Sequence, residues 1–387
     1  MWISRLVLTD FRNHARLSLE LDRRPVVLAG PNGAGKTNVL EAVSLLAAGQ
    51  GLRRVPYDEL ARHGGNGGWA VAATLQTESG PVEIGTGHDP MRSGSQRPGQ
   101  GRSVRVNGEP QTGSGVLADL VEMVWLVPAM DGLFTGPGGD RRRFLDRLVL
   151  CFDPGHGTRY GQLERAMRQR NRLLEDGVRE PARFHGLEQI MAETGVAIAA
   201  ARVATLAGLA ATIEARRARA SDSPFPWATL ALEGTLEGDL AMRPAVEVED
   251  DYVRRLAASR ERDRAAGRTL EGPHRTDLVV GHGPKGMPAS ASSTGEQKAL
   301  LVGLVLAHAE LLAARRSGEA PFLLLDEIAA HLDSRRRAAL FREITRLGSQ
   351  AWMTGTDVDA FSAILNDAQS IPVTEGGIGG HATATLW

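Results

Sequence analysis

Eight residues near the N-terminus, Gly30-Pro31-Asn32-Gly33-Ala34-Gly35-Lys36-Thr37, have the types and spacing of a phosphate cradle, the Walker A pattern. Its glycines let the backbone wrap a phosphate chain, and successive N–H groups at the start of a helix face the negative oxygens. Lys36 is expected to bridge the terminal phosphates, the Thr37 hydroxyl to ligate Mg²⁺, and Asn38 to extend the nucleotide-binding set. Far downstream, Pro321-Phe322-Leu323-Leu324-Leu325-Asp326-Glu327 is an apolar run ending in two carboxylates, the form of a Walker B motif. Asp326 is expected to hold Mg²⁺ through water, and Glu327 to orient and deprotonate an attacking water. A strand that ends in acids is common by itself. Paired with the cradle, it predicts Mg²⁺-dependent ATP hydrolysis with Lys36 and Glu327 as the catalytic residues.

A third element, Ser292-Ser293-Thr294-Gly295-Glu296-Gln297-Lys298, precedes an apolar helix beginning near Ala299. Alone it reads as an ordinary helix cap, with a hydroxyl and backbone N–H groups that an anion could accept. Placed shortly before the acidic strand, it resembles the signature motif of ABC-type ATPases, which contacts the γ-phosphate bound by the opposite subunit. On that resemblance Ser293 and Gly295 are nucleotide contacts made across a dimer. His331-Leu332-Asp333 fills the family's D-loop position and adds Asp333 to the set. The four elements imply an ATPase head that dimerises to hydrolyse ATP. The stretch between Thr37 and Ser292 is longer than a transporter head needs and too short for a long coiled coil, which points to a compact relative of the SMC family.

The elements that must position these residues follow from periodicity. Alternation from Trp2 to Leu21, broken at Asp10-Phe11-Arg12-Asn13-His14, predicts two strands and a turn, and Pro25 to Ala29 predicts a buried strand feeding a helix over 36–48. Strands are expected at 69–75, 82–87 and 103–106, a mobile loop at 89–101, a hairpin turn at Asn107-Gly108, and a buried strand at 123–127. Helices follow at 138–150, 158–175 and 182–219, the last two plausible as an antiparallel arm, then a short strand at 228–232 and a charged helix over 247–265. The α/β pattern resumes with strands at 277–280, 321–326 and 350–354 and helices at 294–314 and 333–346. The fold class is therefore α/β with a mainly helical lobe inserted, and the resemblance of the motifs to ABC-type ATPases implies that the α/β part is a P-loop NTPase head of that type. Residues 1–128 and 272–387 are expected to form the head and 129–271 the lobe.

Composition limits the alternatives. The 387 residues, 42% hydrophobic and 24% charged, describe a globular protein with ample core, and the net charge of −1 means that any polyanion surface must be local. Only Lys36, Lys285 and Lys298 are lysines, so nearly all cationic chemistry belongs to arginine. The single cysteine, Cys151, excludes an internal disulfide, and early charge in the N-terminal run argues against a secretory segment, which favours the cytoplasm. The runs Arg141-Arg142-Arg143 and Arg168, Arg170, Arg172 read most simply as solvated helix faces. No histidine or cysteine cluster has zinc-ligand spacing, so Mg²⁺ is the one metal expected.

Further stretches resemble one family, the RecF recombination and repair ATPases. Phe11-Arg12-Asn13-His14 is similar to its F-R-N-Y stretch, with His14 in place of tyrosine. Gly136-Pro137 followed by Arg141-Arg142-Arg143-Phe144-Leu145-Asp146 is similar to its P-x-x-R-R-x-F-L-D segment, displaced by about a residue. Tyr160, Leu163 and Arg168-Gln169-Arg170-Asn171-Arg172-Leu173-Leu174 resemble its Y-x-x-x-L-x-Q-R-N-x-L-L helix, and Gly272-Pro273-His274-Arg275-Thr276-Asp277 resembles G-P-H-R-D-D. The resemblance implies an ATP-dependent homodimer that binds double-stranded or gapped DNA, turns over slowly, and helps recombinase loading and the SOS response with RecO and RecR partners. Two departures stand out. Pro128-Ala129-Met130-Asp131 replaces P-E-D-L, and Thr356-Asp357 stands where transporters carry a switch histidine, so the Q-loop and γ-phosphate sensor are unassigned. An ATPase subunit of a transporter, or of a nuclease or toxin effector, shares the same head and is the alternative.

Overall fold

The alternating N-terminal run folds as β1 (Trp2–Phe11) and β2 (His14–Glu20), antiparallel, joined by a turn in which Asp10 and Arg12 adopt positive φ. The computed structural model describes residues 1–90, 101–220, 222–316, 318–328, 332–374 and 382–383. β3 (Val26–Ala29) is buried at every position, as a parallel strand covered on both faces must be, and runs through the glycine-rich loop into α1 (Lys36–Ser44). β4 (Trp69–Thr77), β5 (Gly80–His88), β6 (Ser103–Val106) and β7 (Glu109–Gln111) follow. The β6–β7 link is Asn107-Gly108, both at positive φ, the geometry of a tight two-residue hairpin. The loop expected to be mobile falls mostly on 91–100, outside the described residues. The short α2 (Leu117–Leu120) leads into β8 (Met123–Leu126).

Next come α3 (Gly138–Leu150), α4 (His156–Glu175), α5 (Pro181–Arg219), β9 (Ala228–Glu233), α6 (Thr235–Leu240), α7 (Ala245–Ala258) and α8 (Arg260–Ala266). The single charged helix read over 247–265 is thus two. The break falls at Ser259, whose hydroxyl donates to Leu256 O and Asp263 Oδ2, a local side-chain bond that competes with the helical ladder. β10 (Asp277–His282), β11 (Met287–Pro288), α9 (Thr294–Arg315), β12 (Phe322–Leu325), α10 (Ser334–Leu347), β13 (Ala351–Gly355), β14 (Gln369–Pro372) and β15 (Ala382–Thr383) complete the order. The short strands β7, β11, β14 and β15 carry too few residues to show a period in sequence.

Among the described residues the strands form three sheets. A seven-stranded sheet runs β15-β2-β1-β4-β5-β6-β7, a five-stranded parallel sheet runs β14-β3-β13-β12-β8, and a three-stranded sheet runs β11-β10-β9. The parallel sheet draws strands from both chain ends, and one hydrophobic core joins it to α1 and the seven-stranded sheet through Leu6, Leu8, Val39, Leu40, Leu324 and Trp352.

The chain divides into two compact units, Met1–Asp131 with Ala220–Phe225 and Thr294–Trp387, and Gly132–Arg219 with Pro226–Ser293. The second boundary lies at Ser293/Thr294, beyond the expected residue 272, because β10 pairs with β9 and β11 inside the second unit. That unit has its own core, with Leu163, Met191, Val196, Leu236 and Tyr252 among its members. α5 and α9 are long and apolar enough to cross a membrane by length and composition, and the apolar window of α9 is 78% buried, as a core helix must be.

Candidate active site

The phosphate-cradle sequence closes where two strand ends meet. Gly30 follows β3, its N–H donates to Gly355 O at 3.2 Å, and a Cβ placed there would fall 1.9 Å from Val373 O, so only glycine fits. Gly35 sits at φ 101°, a left-handed conformation that turns the loop into α1, and a Cβ there would meet the Asn13 amide at 2.4 Å. Pro31, Asn32 and Gly33 are exposed and Ala34 is buried. The buried Lys36 ammonium donates to Gly30 O at 2.7 Å and Pro31 O at 2.8 Å, so it lies folded back along the loop. Burial pushes the Lys36 pKa down, opposed by the charges of Glu327 and Asp326.

At the inner end of the loop four groups form a line. Thr37 Oγ1 donates to Asp326 Oδ1 at 2.9 Å, and Thr354 Oγ1 donates to the same oxygen at 2.7 Å. The Glu327 N–H in turn donates to Thr354 Oγ1 at 2.8 Å. Glu327 has φ 50°, a strained value for a residue with a Cβ, which turns the chain sharply after β12. Thr354 reaches both acids because β13 lies beside β12 in parallel register, with Leu325 opposite Met353. Nothing in the sequence marks it; the residue lies one strand away from the acids it holds.

A Thr hydroxyl and a carboxylate meeting at one point are hard oxygen donors, with the phosphate-binding loop beside them. Mg²⁺ takes one or two carboxylates and completes its shell with phosphate and water, so these residues fit it. Among the described residues no group of three or more His, Cys, Asp or Glu could hold a metal by itself.

A second layer fixes α1. Arg12 holds the buried Glu41 carboxylate bidentately, Nε–Oε2 2.8 Å and Nη2–Oε1 3.0 Å, and Arg53 adds a contact at 3.1 Å. Asn13 donates to Ala34 O at 3.3 Å and accepts from Asn38 at 2.8 Å, which ties the β1–β2 turn to the phosphate loop. His14 is buried beside the Gly35 backbone, and burial lowers its pKa against the opposing effect of that hydrogen bond. Beside these residues opens a cleft of about 680 Å³ lined by Arg12, Asn13, Asn38, Arg53 and Arg62. Sequence reasoning missed Arg102 altogether. It is buried beyond the end of α1, donating to Leu45 O, to Ala47 O at 2.6 Å, to Gly49 O at 3.1 Å and to Thr86 Oγ1 at 3.2 Å.

The remaining expected residues lie elsewhere. Ser293 and Gly295 are exposed at the N-terminus of α9. Asp333 is the N-cap of α10, accepting from Arg336 N at 2.9 Å, while its neighbour His331 lies outside the described residues. Lys298, at the start of the second turn of α9, is buried and paired at 3.1 Å with Asp131, the residue that ends the departing Pro128–Asp131 segment.

The RecF/RecN/SMC N-terminal domain family matches residues 2–364. A Mesorhizobium japonicum protein named DNA replication and repair protein RecF is 56% identical over 379 residues, covering 97% of each chain. A Brucella suis protein of the same name is 52% identical, covering 98% of this chain and 96% of its own. The chain belongs to the RecF family. RecF-family proteins are ABC-type ATPases of DNA replication and repair, and the parallel sheet carrying the phosphate loop is their head fold. The fold also matches the structure described as the recombination mediator protein RecF-ATPrS in the RecFOR pathway, with TM-score 0.83, 21% identity and 98% coverage of both chains. An Smc head bound to the C-winged helix domain of ScpA matches with TM-score 0.55 at 16% identity.

The RecF-like segments of the second unit do structural work there. Arg170 is fully buried and paired with Glu188 at 3.0 Å and Asp263 at 2.8 Å, while Asn171 accepts from Thr269 at 2.7 Å. Arg141 holds Asp277 bidentately at 2.8 and 2.6 Å, Arg142 donates to Thr276 O at 2.9 Å, and Arg202 donates to Pro273 O at 2.6 Å. The basic runs therefore divide: Arg170 and Arg141 are internal ties, and Arg168 and Arg172 are exposed.

Proposed function

We propose that this chain is an ATP-driven DNA clamp of recombinational repair. The observation that carries the reading is the convergence of Thr37, Asp326, Thr354 and Glu327 at the inner end of the phosphate loop. Residues Gly30 to Asn38 wrap the phosphates, the N–H groups of the loop after Pro31 facing them, Lys36 swings from the loop carbonyls to the terminal phosphates, and Arg12, Asn13 and Arg53 border the cleft for the rest of the nucleotide. Thr37 and Asp326 would hold Mg²⁺, which supplies charge neutralisation on the phosphate oxygens when bound. Glu327, held at its turn by Thr354, orients the attacking water and accepts its proton.

Ser293 and Gly295, exposed at the N-terminus of α9, together with Asp333, complete the site from a second copy of the chain. ATP thus favours the homodimer, the dimer creates the surface for double-stranded or gapped DNA, and slow hydrolysis releases it. RecO- and RecR-type proteins are the expected partners, in recombinase loading and the SOS response, and the cytoplasm is the expected location. Sedimentation with and without ATP and Mg²⁺, repeated with a short gapped duplex, tests the reading. The expected result is a monomer-to-dimer conversion by ATP, with DNA carried by the dimer alone. Binding of ATP with mass and DNA affinity unchanged would overturn it.

A further inference from the structure

Three arginines of α4, Arg165, Arg168 and Arg172, are exposed and lie within about 60° of one another around the helix at 3.6 residues per turn. They stand opposite the face that buries Leu163, Ala166, Arg170 and Leu174. Three other exposed arginines are neutralised locally, Arg143 by Asp140, Arg217 by Glu214 and Arg254 by Asp251, each three residues away. Arg165 and Arg172 have no such partner among the described residues, and Arg168 is 68% exposed with only Glu164 at 3.9 Å. A solvated helix face usually carries alternating signs; this one carries a single sign along its centre.

We propose that this stripe is a phosphate-contacting strip for duplex DNA, a deepening of the clamp reading on which it rests. Arg165 to Arg172 spans about 10.5 Å at 1.5 Å per residue, close to three base-pair steps of about 3.4 Å measured along the duplex axis. On one side the stripe is bordered by exposed Thr158, Gln162 and Gln169, neutral side chains that can hydrogen-bond to phosphate oxygens, and on the other by Glu164 and Glu175. The backbone of the duplex therefore meets the helix from the glutamine side. Arginine suits this role because its planar fork pairs with phosphate in two directions. No base contact is implied, and the strip adds affinity without sequence preference.

The test measures duplex affinity of the full chain with ATP and Mg²⁺ from low to moderate salt, for the wild type, R165Q/R168Q/R172Q and R165K/R168K/R172K. Three lost phosphate contacts flatten the slope of log affinity against log salt by about 2–3 in the glutamine variant. The lysine variant keeps most of the slope, and DNA-free ATP turnover is unchanged in both, which verifies that they are folded. A glutamine variant with the wild-type slope overturns the strip alone and turns the stripe toward an acidic protein partner. A wild type with no ATP-dependent duplex binding overturns the clamp reading and the strip together.

Discussion

Replacing Thr354 by valine keeps the shape of a fully buried side chain and removes one hydroxyl that serves two partners. The Glu327 N–H loses its acceptor at 2.8 Å, at a cost of about 1–3 kcal/mol for an unsatisfied donor. Asp326 loses a charge-assisted donor at 2.7 Å, about 1.5–3 kcal/mol more. The left-handed turn at Glu327, φ 50°, already costs about 1–2 kcal/mol and persists only while its N–H is held. Part of this loss relaxes through backbone movement and water, and about 2–3 kcal/mol is expected to fall on the population of the conformer in which Glu327 faces the attacking water. At about 1.4 kcal/mol per decade, T354V should hydrolyse ATP about 30–150-fold more slowly. Nucleotide affinity should change by less than about threefold, because the hydrogen bonds of the phosphate loop remain. T354S, which keeps the hydroxyl, should recover most of the turnover. Steady-state phosphate release read beside fluorescent-nucleotide binding separates the two quantities. Turnover of T354V within about threefold of wild type would refute the argument that this hydroxyl sets the Glu327 conformation.

K36A should abolish ATP-driven dimerisation, whereas E327Q should trap the ATP-bound dimer; sedimentation with phosphate release checks both, and equal, undiminished turnover would remove the site. Burial lowers the pKa of His14, so the unfolded chain binds the extra proton first as pH falls. The His14 contribution is therefore fully present above the unfolded value of about 6.5 and lost as pH falls through the depressed folded value. Thermal melts between pH 7.5 and 5.5 should show H14Y losing less stability than wild type over that interval. R102M strips the acceptors beyond α1 of their donor and should lower stability by about 2–4 kcal/mol. R102K keeps the charge without the fork and should recover only part; an unchanged denaturant midpoint for R102M would count against the tie.

The phosphate loop was legible in sequence because its chemistry is local. Gly30 to Thr37 carry their own backbone conformation, their own N–H groups and the start of their own helix, so spacing along the chain suffices. The same holds for Asp333, whose capping bond runs to Arg336, and for the Asn107-Gly108 hairpin. The family segments were legible as a pattern, and their physical role was not. Arg168, Arg170 and Arg172 look alike in sequence, yet the 3.6-residue turn buries the middle one among Glu188, Asp263 and Thr269 and leaves the other two in water.

Thr354 and Arg102 could be found only in three dimensions. Thr354 matters because β13 lies between β3 and β12, a strand order that no local pattern encodes, and Arg102 because its guanidinium reaches carbonyls at Ala47 and Gly49, 55 and 53 residues away in the chain. The sequence by itself determined the loop that wraps phosphate and the acids that end a strand. The tertiary structure decided which hydroxyl orients those acids and which arginines are buried ties and which are exposed. Such assignments depend on the burial and neighbours that distant segments supply, and a side chain's hydrogen-bond energy is set by what surrounds it, not by its place in the chain.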